Sequence, residues 1–102
     1  MGRRRGVYKV PGGKLVAVEF VVVDGLLRDV VVTGDFFLYP EEALPVLAFA
    51  IEGAPVALAR EALAERIAGA IPADVQLVGA SPEALAMAVA RGLTPPDDEA
   101  PS

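Results

Sequence analysis

Cysteine and histidine are both missing from this 102-residue chain. Serine occurs only at Ser81 and Ser102, and lysine only at Lys9 and Lys14, against seven arginines. The lack of cysteine excludes disulfides and thiolate metal sites, and makes a cytoplasmic location the default expectation. The lack of histidine removes acyl-transfer triads and imidazole metal centres as well. Acidic residues are plentiful, but no close pair of them reads as a general acid/base constellation. The sequence therefore nominates no catalytic residue and no metal ligand. No apolar run approaches the roughly 20 residues that span a bilayer, and no signal-peptide core opens the chain, so no membrane partner is expected. A net charge of −5 argues against nucleic acid as a partner.

What is present is apolar. Hydrophobic residues make up 54% of the chain and the mean hydropathy is +0.49, too high for a disordered polymer. Much of that count is Ala and Val, so the core is built from small side chains, with an excess available for a partner-facing surface. The length suits one domain with a single modest core. Composition marks three stretches: a basic N-terminus over 1–6 carrying Arg3, Arg4 and Arg5, a folded domain over 7–93, and an acidic, Pro-rich tail over 94–102. Both ends are expected to be disordered. No internal repeat is visible.

Val7 to Val10 reads as a short strand ended by Pro11-Gly12-Gly13, a tight-turn sequence. The same loop also reads as one whose backbone N–H groups approach an anion, since the only two lysines, Lys9 and Lys14, bracket it. It is neither a Walker nor a dinucleotide motif. Leu15 to Val23 is the clearest strand, with Val16, Val18, Phe20 and Val22 on one face and Glu19 on the other. Asp24-Gly25 signals a two-residue hairpin, and the return strand is Leu26 to Thr33. A regular ladder would point Asp29 into the apolar face and Val30 and Val32 away from it. One extra residue near Arg28-Asp29 removes that conflict, so a β-bulge is expected there.

Gly34-Asp35-Phe36-Phe37-Leu38-Tyr39-Pro40-Glu41-Glu42 forms a strand-to-helix corner holding three of the six aromatics. Pro40 suits a helix's first turn, with Glu41 and Glu42 at the positive end of its dipole. Leu44, Leu47, Ala48 and Ile51 recur at helical spacing up to Gly53. Pro45 requires either a separate first turn or a kink. A second helix is expected over Ala57 to Ile71 and a short extended segment over 75–78. A third helix opens on Ser81-Pro82-Glu83 and stops at Gly92. The expected fold class is α+β, two-layered: a three-stranded antiparallel sheet of β-hairpins followed by about three helices packed on one face.

Two blocks in order, "KVPGGKLV" over 9–16 and "GDFFLYPEE" over 34–42, resemble the accessory (C-terminal) domain of lipoate–protein ligases. In bipartite ligases this domain is a separate small subunit. The resemblance runs from Val7 to Leu93 and departs at Pro45 and at both ends. It implies an accessory subunit, non-catalytic alone, required for ATP-dependent formation of lipoyl-AMP by a separate catalytic subunit, and dispensable for transfer to the acceptor lysine. ATP, Mg and lipoate would belong to the complex, with no cofactor bound by this chain alone. The partner implied is the catalytic subunit, as a heterodimer, and indirectly the lipoyl acceptor domains. Lys9, Gly12, Gly13 and Lys14 are the candidates for substrate or phosphate contact. Asp35, Phe36, Phe37, Tyr39 and Pro40 are candidates for a partner interface or for holding the corner. The alternatives are a non-catalytic homo-oligomeric module pairing through the hairpin edge, and a carrier resembling iron–sulfur assembly proteins, which the lack of cysteine disfavours.

Overall fold

In the computed structural model the described residues are 2–93; the expected tail over 94–102 lies outside them. Five strands and three helices follow in the order β1 (Arg4–Lys9), β2 (Leu15–Val23), β3 (Leu26–Gly34), β4 (Phe37–Tyr39), α1 (Leu44–Ile51), α2 (Arg60–Ala70), β5 (Gln76–Val78) and α3 (Pro82–Leu93). β1, β2 and β3 form an antiparallel sheet in that order, and β4 pairs with β5 in a separate two-stranded ribbon. The helices cover one face of the three-stranded sheet: α3 lies across β1 and β2, α1 lies beside β3, and α2 packs on both helices.

The β2–β3 hairpin follows from its sequence. Asp24 and Gly25 take φ of 54° and 76°, the left-handed pair that a two-residue turn needs. Glu19 pairs with Val31 and Val21 with Arg28, so two residues of β3 oppose the single residue Phe20. This is the expected bulge, at Asp29 (φ 54°), and it turns Val30 and Val32 into the core with Phe20 while Asp29 stays exposed. Both backbone N–H groups at the bulge, of Asp29 and Val30, donate to the Glu52 carboxylate at 3.1 and 3.0 Å.

β1 starts at Arg4, three residues before the expected strand, so residues 4–6 belong to the sheet and not to a frayed end. The reason is a close approach between β1 and α3. A methyl group on Gly6 would overlap the Ala88 carbonyl oxygen, and one on Gly92 would lie 3.0 Å from Gly6 N. Gly92 is thus a contact residue inside α3 and does not end the helix. Arg4 caps that helix, its guanidinium donating to the carbonyls of Gly92 (2.7 Å) and Leu93 (3.1 Å), where the helix dipole is negative.

Two other boundaries differ from expectation, those at Pro40 and at the start of α2, while Pro45 meets the first of its two expected alternatives, a separate first turn. Pro40 is extended (φ −72°, ψ 153°) and precedes a separate 3-10 turn at Glu41–Ala43, so it is not inside a helix. Pro45 then falls in the first turn of α1, where its missing N–H has no intrahelical role. α2 begins at Arg60, three residues late, because the preceding segment is held to the hairpin: Val56 N donates to the Gly25 carbonyl and Leu27 N to the Ala54 carbonyl, both at 2.9 Å. At α3 the expected cap is present, with Ser81 Oγ accepting from Ala84 N at 3.1 Å.

Candidate functional site

The ribbon makes the corner more than a corner. Phe37 pairs with Val78, Leu38 with Leu77 and Tyr39 with Gln76. Strand alternation sends Leu38 into the core, where it is buried. The same alternation places Phe37, Tyr39, Gln76 and Val78 on the outer face. Phe37 is 66% exposed, Tyr39 71% and Val78 51%. An open groove of about 860 Å³ runs from this face to the end of β3, lined also by Thr33, Gly34, Phe36, Leu44 and Glu41. An apolar concave surface with one charged group is the form that partner and ligand sites take.

Of the five corner candidates, Phe37 and Tyr39 carry the groove wall. Phe36 is half-buried and packs on the core, while Pro40 is exposed. Asp35 is exposed at the groove end and donates its N–H to the Leu15 carbonyl at 3.0 Å. Leu44, Gln76 and Val78 were not nominated from the sequence. Val78 and Gln76 reach the groove only through the β4–β5 pairing, and neither short segment announces its partner.

The loop at 11–13 abuts the same region. Lys14 N–H donates to the Gly79 carbonyl at 2.9 Å and Gly13 N–H to the Val10 carbonyl at 2.8 Å. Two of the three N–H groups in 12–14 are therefore used within the chain, which leaves Gly12. Gly79 follows β5 directly, and a methyl group built on it would sit 2.6 Å from Lys14 Cγ and 3.7 Å from Phe36 Cα. Thus Lys14 stands at the head of the ribbon and joins the two sequence blocks. Lys9 pairs with Leu15 and so faces the opposite side of the sheet. The two lysines do not converge.

Their neighbours explain why they stand out. Every arginine is engaged: Arg3 and Arg5 with Glu19, Arg4 with the end of α3, Arg28 with Glu52, Arg60 with Glu61. Arg66 donates to the carbonyls of Ala50 and Glu52, and Arg91 lies 5.1 Å from the centre of the Tyr8 ring. Among the described residues, Lys9 and Lys14 are the cationic side chains without an ion pair or hydrogen bond. The described residues also contain no cluster of acidic side chains able to hold a metal ion, and no helix long and apolar enough to cross a membrane.

Neither a known protein family nor a curated protein matches this chain in sequence. A solved structure does match in fold. It comes from an archaeal lipoylation system of Thermoplasma acidophilum, described as a bipartite lipoate protein ligase and its E2 lipoyl domain. The matched chain aligns with a TM-score of 0.63 and 22% identity, over 87% of this chain and 93% of that one. The likeness is one of fold. It spans nearly all of both chains, which are of similar size.

Proposed function

We propose that this chain is the accessory subunit of a bipartite lipoate–protein ligase. It is required when a separate catalytic subunit converts lipoate and ATP to lipoyl-AMP. The observation that carries the reading is the near full-length fold match to a chain of a bipartite ligase system. In that reaction a carboxylate oxygen of lipoate attacks the α-phosphorus of ATP. A mixed anhydride forms, the α–β phosphoanhydride bond breaks, and pyrophosphate leaves. Negative charge grows on phosphate oxygens, and cations held in a water-excluding interface stabilise it. This chain has two uncommitted cations to offer, and Lys14 is the better placed: its stem is packed beside Gly79 while its ammonium is free. ATP, Mg and lipoate are held by the complex and not by this chain alone.

The test is lipoate-dependent pyrophosphate exchange. This chain alone shows none, and added to the catalytic subunit of the same organism's ligase it restores exchange. Transfer from preformed lipoyl-AMP to an acceptor domain proceeds without it. Lys14→Ala lowers adenylation about tenfold to a thousandfold, the scale for losing one stabilising donor. Subunit binding is unchanged, and Lys14→Arg recovers part of the rate. Transfer that depends on this chain as strongly as adenylation does would overturn the reading. So would a lipoyl mass increment on this chain itself, which would make it an acceptor.

A further inference from the structure

The outer edge of β3 changes character along its length. Two loop hydrogen bonds fix which backbone groups face outward. Val10 N–H donates to the Lys14 carbonyl (3.1 Å), and Asp35 N–H to the Leu15 carbonyl (3.0 Å). Even-numbered residues of β2 therefore bond to β1 and odd-numbered ones to β3. By the register Ala17↔Thr33 and Glu19↔Val31, the backbone groups of Val31 and Thr33 face β2, and those of Val32 and Gly34 face away. Up to the bulge the outward groups are occupied: Leu27 exchanges bonds with Ala54 and Gly53, and Asp29 and Val30 are held by Glu52. Among the described residues nothing pairs with the outward groups of Val32 and Gly34. The apolar groove begins at that point, lined by Thr33 and Gly34 on this side and by Phe37, Tyr39 and Val78 on the other.

We infer that the open end of β3 and this groove form a strand-addition site for an extended apolar segment of the catalytic subunit, flanked by Lys or Arg. The identity of the partner rests on the function proposed above. An unpaired strand edge beside an apolar groove suits this mode, with main-chain hydrogen bonds on one side and alternate side chains seated in the groove. The charge of the rim selects the occupant. Glu41 is the one charged residue of the lining; outside it Asp35 and Glu42 are exposed, and Lys14 stands at the Gly79 end of the ribbon. A second copy of this chain, pairing by two-fold symmetry, would set one Glu41-lined groove against another, with no cation in either lining. A segment carrying cations has no such conflict.

The experiment pairs the isotopically labelled chain with the ligase catalytic subunit and reads amide hydrogen exchange and affinity. In the complex, exchange at Val32 and Gly34 slows at least tenfold. Phe37→Asp and Tyr39→Asp each weaken binding at least tenfold and leave thermal unfolding near wild type. Phe49→Asp, on α1 at a residue 80% exposed and outside the groove lining, leaves binding unchanged. If the complex forms with Val32 and Gly34 exchanging as before and both groove variants binding normally, the strand-addition site is wrong while the accessory function stands. If the wild-type chain binds no catalytic subunit, the accessory function fails and this inference fails with it. Concentration-dependent dimers of this chain alone, abolished by Tyr39→Asp, would assign the groove to a second copy and overturn the inference.

Discussion

One strand, β3, is treated in two opposite ways along its outer edge. From Leu26 to Val30 the edge is sealed by the segment after α1: Ala54 and Gly53 take Leu27, and the Glu52 carboxylate takes both bulge amides. From Val32 to Gly34 the outward backbone groups have no partner among the described residues; Val32 is buried, Thr33 and Gly34 are exposed, and an exposed aromatic ribbon stands beside them. Open strand edges invite pairing with other chains, and proteins that have no use for such pairing block them with charges, bulges or covering loops. The sealed half uses all three devices. The same strand then leaves the outward groups of its last residues unpaired among the described residues, beside an apolar groove, and on the inference above that is where a partner strand adds.

The junction of the two halves with the ribbon is Gly34, and disturbing it has the largest expected effect. Its φ is +151°, and a methyl group there would overlap the Leu15 carbonyl oxygen and lie 2.9 Å from the Phe36 ring. Gly34→Ala is expected to cost roughly 2–4 kcal/mol, from backbone strain and overpacking together. Denaturant unfolding measures it. A loss below about 0.5 kcal/mol, the scale of an unconstrained surface site, would mean that the open half tolerates rearrangement and is not a fixed platform.

The sealed half should fail in a different way. Glu52→Ala leaves two amides at the bulge without an acceptor, with an expected cost of about 1–3 kcal/mol. Glu52→Gln keeps one acceptor oxygen and should cost less. Exchange at Asp29 and Val30 should speed up in both variants while binding of the proposed partner, a ligase catalytic subunit, is kept. Loss of binding without loss of stability would show that the sealed half is also met by the partner, and would erase the distinction.

How legible was this division beforehand? The bulge was readable because the register conflict is arithmetic: a two-residue turn puts Asp29 where the apolar face needs Val30. The hairpin, the Ser81 cap and the three-helix count were readable from local chemistry of the same kind. The ribbon was not. Phe37–Tyr39 and Gln76–Val78 are three-residue strands separated by two helices, and such short segments carry no periodicity that names a partner. The sequence leaves the corner aromatics as candidates either for a partner interface or for holding the corner, and two of the three are exposed. Gly6 and Gly92 differ from expectation for a related reason. The sequence makes one look like part of a frayed end and the other like a helix stop, when each is small because the other element's backbone lies against it. The scarcity of lysine has a counterpart in the structure, where every arginine is engaged and Lys9 and Lys14 have no ion pair or hydrogen bond among the described residues.

The smallest expected effect on stability is also the one that decides what the open half is for. Core phenylalanines lose about 3–5 kcal/mol when cut to alanine, because the apolar transfer is reversed and a cavity remains. Phe37 and Tyr39 are two-thirds or more exposed, so little surface returns to water and no enclosed space is left behind. Phe37→Ser and Tyr39→Ser should each change unfolding free energy by less than about 0.5 kcal/mol. Solubility of the isolated chain should rise, since an apolar patch has been broken. Holding two large aromatics in water brings the isolated chain little, which fits the proposed docking face. If either substitution costs the isolated chain several kcal/mol, the ribbon packs more closely than the groove geometry indicates. The corner would then be core after all, and the open and sealed halves of β3 would both serve only the fold.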